Sequence, residues 1–316
     1  MTAIGGYFEL ELNSSGEFYS DAIKLNSGRN AFEYILKVRN YNKVYLPFFT
    51  CDAILEPIVK LDIVFEFYNI DTNFEPIFDY SKIQEDECFL YTNYFGLKDV
   101  FIKQMIQKTR QLVIDNAQAF FSKPIKNIDT FYSPRKFFGI SDGSYLYCNK
   151  VLNQEFETDL SFNRMSHLLI RKDKSAEAGY SFFVENDKLL SQQPIKFMSK
   201  LTISILKSID YKSVSKVRRE NFNTLHETLG NVNKLSLHFL TTEVPMVYPF
   251  WSEDVNLRNR LLENKIYTAS YWPNVKQCCK DGDLEYQFVN EIVYLPVDQR
   301  YSNYEMELII KTILNV

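Results

Sequence analysis

Across the first 150 residues, short apolar or aromatic runs alternate with stretches whose apolar positions recur at helical spacing. The runs predict strands over 43–48, 62–69, 87–94, 111–115, 130–133 and 144–148. Several are apolar or aromatic without interruption, the pattern of strands covered on both faces. Between them, helices are expected over 30–39, 51–61 and 97–109, the last carrying Val100, Ile102, Met105 and Ile106 beside a charged face. Strand and helix in alternation imply a mostly parallel sheet with helices on both sides. From about 160 to 227 the pattern is helical, and VRRENFNTLHETLG closes on a glycine suited to a helix end. Beyond 235, strands are predicted over 244–251, 266–271 and 292–296 and helices over 254–264 and 303–314. The expected division is a large α/β domain over 1–235 and a small α+β domain over 236–316.

A length of 316 residues fits two domains or one large α/β unit with an appendage. Hydrophobic residues at 46% and charged residues at 24% are ordinary globular values, which argues against disorder. The net charge of −4, with no block of Lys or Arg, is a poor match to nucleic acid, whose phosphates need a concentrated positive field. The N-terminal stretch lacks a basic segment followed by an apolar one, and no apolar run nears the roughly 20 residues that span a bilayer. A cytoplasmic protein without membrane contact is expected. The five cysteines, Cys51, Cys88, Cys148, Cys278 and Cys279, fit reduced thiols. Three histidines, with no CxxC and no HExxH, give no reason to expect a metal site. Glycine numbers only 10, and the GxGxxG, GxxxxGK[ST] and GxSxG turns are all absent, so any cofactor must be held by other means.

Three segments carry candidate chemistry. In LVIDNAQAFF, Asp115 ends a strand-like run, where open α/β sheets place their ligands, and Gln118 follows three positions later. A carboxylate there can pair with a cationic ring nitrogen while the amide donates to an oxygen on the same ring; a helix-capping Asp is the alternative. In TFYSPRKFFGISDGSYLY, Lys136 stands beside Arg135, Phe137 and Phe138. Desolvation by the two rings and the neighbouring cation would disfavour its ammonium form, which suits a Schiff-base lysine; an exposed loop lysine is the alternative. In LNSGRNAFEYIL, Ser27 and Gly28 precede an amphipathic helix whose first amides and a hydroxyl can bind a phosphate, with ordinary capping as the alternative.

In order and spacing these segments resemble the DegT/DnrJ/EryC1/StrS family of pyridoxal-phosphate aminotransferases, of fold type I, over most of the chain. The resemblance implies a large domain built on a seven-stranded, mostly parallel sheet and a small C-terminal α+β domain. It implies that Ser27 and Gly28 meet the cofactor phosphate and that Asp115 lies under the pyridine nitrogen. Gln118 would lie near the ring hydroxyl, Ser133 match the serine before the catalytic lysine, and Lys136 be that lysine. LPFFTCDAI resembles the family's PxxT segment and makes Phe49 the candidate to stack on the ring, with a core Phe as the alternative. YTNYFG is similar to a family strand end, with Asn93 where His often stands. In the C-terminal segments Tyr271, Trp272 and Arg300 become candidates to face the substrate; packing aromatics and a surface Arg are the alternatives. FNRM resembles the family's NYRM, whose Asn reaches the neighbouring subunit's phosphate, so Asn163 is a candidate one place out of register. SPRK is shorter than the family's SFxxxK, and SDGS replaces GEGG.

The resemblance implies transfer of an amino group from glutamate to a keto-sugar nucleotide, by a homodimer in which Lys136 is Schiff-base lysine and general acid and base. The anionic acceptor directs interest to Arg29, Arg135, Arg164 and Arg300. Two alternatives stay open: a catalytically altered or regulatory relative, favoured by SPRK and SDGS, and a fold type I lyase or dehydratase. The sugar-dehydrating relatives carry His at the lysine position, so Lys136 argues against that variant.

Overall fold

The computed structural model describes residues 4–315. Along the first half, β1 (Ile23–Leu25) leads into α1 (Gly28–Arg39), followed by β2 (Lys43–Pro47), α2 (Leu55–Lys60), β3 (Val64–Ile70), β4 (Pro76–Ile77), β5 (Glu87–Thr92), α3 (Asp99–Met105), β6 (Leu112–Asn116), β7 (Asp129–Tyr132) and β8 (Ser144–Tyr147). These strands form one sheet in the order β1-β8-β7-β6-β5-β2-β3-β4. The central five, β7, β6, β5, β2 and β3, are parallel. At one side β8 runs antiparallel to both β7 and β1, and at the other the two-residue β4 runs antiparallel to β3. The sheet has eight strands where the resemblance implied seven, and neither β1 nor the short edge strand β4 is among the six predicted from the pattern.

Pleat alternation sorts the side chains into two different layers. On one face Val44, Leu46, Cys88, Leu90, Val113 and Leu146 pack with Phe32, Ile35 and Leu36 of α1. On the other, Tyr45, Phe89, Tyr91, Ile114, Tyr132 and Tyr145 belong to an aromatic-rich core that runs on into the C-terminal part of the chain. The one-residue offset between small aliphatic and aromatic positions therefore decides which face takes which cover.

The second half supplies α4 (Ser166–Asp173), α5 (Ala176–Leu189), α6 (Lys200–Lys207) and α7 (Tyr211–Leu229). After them come β9 (Val247–Trp251), α8 (Leu257–Glu263), α9 (Val275–Cys278), α10 (Leu284–Glu291), β10 (Ile292–Pro296) and α11 (Asn303–Leu314), with β9 and β10 paired antiparallel. A buried carboxylate fastens this part to the large sheet: Glu285 Oε1 on α10 accepts the Ile70 N–H at 2.8 Å, and both Glu285 oxygens accept from Asn69 Nδ2.

Three expectations are corrected. Residues 266–271 are not a strand: the Ile266 N–H closes back onto Leu261 O at 2.8 Å, Lys265 and Trp272 have positive φ, and only Ala269 bridges to Tyr294. The 51–61 helix is a 3-10 turn over Asp52–Ile54 followed by α2, and the 97–109 helix is confined to α3, beyond which the chain tightens into turns. The α10 helix was not anticipated. Among the described residues no helix is long and apolar enough to cross a membrane.

Candidate active site

The carboxyl ends of β5, β6 and β7 lie side by side, with Thr92 paired to Asp115 and Asp115 to Phe131. By alternation Thr92, Asp115 and Phe131 share the face that carries α1. The start of α1 comes to the same place: a Cβ added to Gly28 would lie 3.9 Å from the Phe131 ring and 3.9 Å from Ser133 Cβ. The segments that held separate candidate residues in the sequence thus converge at one end of the sheet.

Asp115 is buried, and its Oδ1 accepts the Ala117 N–H at 2.7 Å. Burial pushes its carboxyl up, opposed by the Lys136 charge and by that N–H. The same ammonium pulls against the burial that raises the Cys51 thiol, so Lys136 acts on the ends of both β2 and β6. Lys136 closes a 3-10 turn over Pro134–Lys136 and is exposed. The expectation that Phe137 and Phe138 desolvate it is corrected: in so tight a turn successive side chains diverge, and both rings point into the aromatic core against Phe120 and Phe121. Gln118 is fully buried; its Oε1 accepts the Phe95 N–H at 3.0 Å, and its Nε2 has no partner among the described residues. Gly96 makes this approach possible, because at its φ of 75° a Cβ would stand 3.0 Å from Val244 O and 3.2 Å from Gln118 O.

At the head of α1, Ser27 behaves as the capping alternative has it: Oγ accepts the Asn30 N–H at 3.2 Å and donates to Asn30 Oδ1 at 2.6 Å. First-turn amides have no intrahelical acceptor, so those of Gly28 and Arg29 remain available to an anion. Ser133 adds a hydroxyl that caps nothing.

Phe49 is corrected to the core alternative. Its ring is enclosed by Tyr94 and Phe74 at stacked angles and by the edges of Trp272, at 4.6 Å, and Phe288, which leaves no face for a cofactor. Trp272 is buried in the same cluster and is likewise a packing residue. Tyr271 is half-buried, stacked on Phe95 and 4.3 Å from the Tyr294 ring. Asn93 donates to Asp99, Asn116 and Ser122 and accepts the Lys98 N–H, so it ties turns together. All four arginines considered for an anionic substrate are held by carboxylates: Arg29 by Glu56, Arg135 by Asp187, Arg164 by Asp159 and Arg300 by Asp298. Asn163 is exposed on a 3-10 turn, between the half-buried Arg164 and an exposed Phe162.

Arg218 and Gln299 went unnoticed in the sequence. Arg218 is 2% exposed, and both residues bond to the carbonyl of Phe137, next to Lys136. The signal was present: Val214, Arg218, Asn221, Phe222, Leu225 and Leu229 form one buried stripe, with a cation and an amide at apolar positions.

No protein-family model matches the chain, and no curated protein matches it in sequence. Solved structures match it in fold. Spr1654 of Streptococcus pneumoniae, described as a sugar aminotransferase and solved in a PLP form, superposes with a TM-score of 0.65 at 16% identity, over 92% of this chain and 86% of that one. DesV of S. venezuelae, solved with a ketimine intermediate, gives 0.67 at 14% identity over 93% and 84%. A DegT DnrJ EryC1 StrS aminotransferase of Brucella abortus gives 0.62 at 16% identity over 93% and 85%. The chain has the fold of these aminotransferases, as the sequence motifs led us to expect.

Proposed function

We propose that the chain is a pyridoxal-phosphate-dependent aminotransferase that moves an amino group from glutamate to a keto-sugar nucleotide. The observation that carries this reading is the placement of Asp115, Lys136, Ser133 and the head of α1 at one end of a sheet of this fold. The residues suit the cofactor: free first-turn amides and an uncommitted hydroxyl for a phosphate, a buried carboxyl for a ring N–H, and an unpartnered Gln118 Nε2 for a ring oxygen. When bound, pyridoxal phosphate supplies the electron sink that makes the hydrogen on an amine-bearing carbon removable.

The chain's own groups orient the reaction and move its protons. Gly28, Arg29 and Ser133 would hold the phosphate end, and Asp115, as carboxylate, would accept the ring N–H and favour the protonated nitrogen. Lys136 Nζ would be the amine that holds the cofactor and, as general base and acid, the group that takes and returns the proton. Its exposure leaves Nζ open to an arriving substrate. In this reading residues 1–235 bind the cofactor, 236–316 border the substrate with Tyr271 and Arg300, and a second copy of the chain brings Asn163.

Borohydride reduction of the cofactor-loaded protein, followed by peptide mapping, tests the assignment. Label on Lys136 is expected; label on another lysine, or no cofactor uptake, overturns it. The four arginine–carboxylate pairs favour a second reading, a catalytically altered or regulatory relative that keeps the cofactor site. Spectral conversion by an amino acid, reversed by a keto-sugar nucleotide, decides for the first.

A further inference from the structure

Two parts of the site meet at one buried guanidinium. Arg218 Nε donates to Gln299 Oε1 at 2.9 Å, and Nη1 donates to the carbonyls of Pro245 at 3.3 Å and Met246 at 3.1 Å. Its Cζ lies over the Phe137 ring, 4.5 Å from the centroid, and Nη2 reaches Phe137 O at 3.5 Å. Gln299 Nε2 donates to that same carbonyl at 2.8 Å. In the other direction, the Met246 N–H donates to Phe95 O at 2.8 Å, and the Phe95 N–H to Gln118 Oε1 at 3.0 Å. An unbroken run of hydrogen bonds thus leads from Gln118 to the residue that follows Lys136.

A guanidinium buried without a carboxylate in direct contact is costly, and burial lowers the pKa of this one to about 10. Packing alone would be served as well by an apolar side chain. What an apolar residue cannot do is bond to three carbonyls and an amide at once, in a fixed planar fork.

We propose that Arg218 is a positioning residue that sets the Lys136 turn and the Gln118–Phe95 pair relative to one another, with Gln299 as its arm on the lysine side. Its purpose rests on the aminotransferase reading, since Lys136 and Gln118 must address one cofactor; the linkage itself stands on the contacts.

The test uses the full chain and three variants: Arg218→Met, Arg218→Lys and Gln299→Met. Hydrogen exchange read by mass spectrometry follows residues 134–140 and 93–97, with β6 as internal control. Arg218→Met is expected to speed exchange in both segments by roughly tenfold or more while β6 keeps its protection, and Arg218→Lys to restore part of it. Gln299→Met is expected to loosen 134–140 alone. In the cofactor-loaded protein, the pH midpoint of the visible absorbance is expected to move in Arg218→Met and to return toward wild type in Arg218→Lys. Unchanged exchange in both segments, a change confined to one of them in Arg218→Met, or a uniform rise through β6 overturns the proposal. If wild-type protein takes up no pyridoxal phosphate, the functional reading fails and the exchange measurement alone decides. If Arg218→Met does not fold, wild-type rates over 134–140 in Gln299→Met overturn it.

Discussion

Gly28 and Ser133 abut: a Cβ on Gly28 would lie 3.9 Å from that of Ser133, so the start of α1 and the turn ending at Lys136 share an edge. The Ser133 hydroxyl caps nothing. Ser133→Ala should therefore weaken pyridoxal-phosphate binding by about 1.5–3 kcal/mol, the value of a hydrogen bond to a charged group, and leave the melting temperature of the cofactor-free protein unchanged. Fluorescence titration and thermal unfolding measure the two. An unaltered affinity removes Ser133 from the phosphate site.

The cofactor role proposed for Asp115 would come at a cost to the cofactor-free fold. Burial raises its folded pKa above the unfolded value, so the folded state binds the proton more tightly. Its contribution to stability is then fully present below the unfolded pKa and is lost as pH rises through the folded one. Asp115→Asn keeps an acceptor for the Ala117 N–H and removes the buried charge. The variant should be more resistant to urea than wild type at neutral pH, should still bind cofactor, and should lose amine exchange. Full exchange activity would return Asp115 to the role of a capping residue.

The parts of this site legible in the sequence are those whose chemistry is local. Asp115 ends an apolar run and Ser27 opens an amphipathic one, so a strand end and a helix start could be placed from neighbouring residues alone. Lys136 stands out in the sequence as the proposed lysine, but its surroundings do not follow from its neighbours, because a 3-10 turn sends Phe137 and Phe138 away from it. Phe49 and Trp272 were misassigned for a related reason: both are aromatic at a segment end, and only the fold reveals that each fills the other's packing site at 4.6 Å. The helical stripe signals that Arg218 is buried, but what it bonds to lay beyond local reading, since its partners Pro245, Met246 and Gln299 are 27 to 81 positions away.

Glu243 gives the fold a pH dependence of its own. Its carboxylate accepts the Asp99 N–H at 3.0 Å and the Leu240 N–H at 2.7 Å, bracing the head of α3, and burial pushes its pKa up to about 7. An unfolded Glu titrates near ~4.3, so between those values the folded state holds a proton that the unfolded state has lost. Stability from this group is greatest below that range and falls as pH rises through about 7. Glu243→Gln should flatten the profile, narrowing the difference in unfolding free energy between pH 5 and pH 8 by an amount on the order of 1–3 kcal/mol. Urea titrations of both proteins supply the comparison, in which the remaining titrating groups cancel. Parallel profiles would show that Glu243 keeps its charge throughout.

The proposed second copy has a place to sit. Leu160 and Phe162, just before Asn163 in the chain, are 68% and 70% exposed and offer apolar surface that a second copy would cover. A two-fold interface is isologous, so each subunit would both give and receive this segment. Lys136→Ala removes the lysine of one site, and Asn163→Ala removes what that subunit lends to the other. Each homodimer should be inactive or strongly impaired. In a mixed dimer one site combines an intact Lys136 with an intact Asn163 from across the interface, while the other lacks both. Mixing the two variants under conditions that exchange subunits should therefore restore up to about half of the wild-type activity per mixed dimer, since one of its two sites is whole. Light scattering fixes the oligomeric state, and mass spectrometry of the intact assembly confirms the exchange. An active monomer would end the idea of a shared site, and no recovery despite proven exchange would leave the dimer standing without Asn163 in its chemistry.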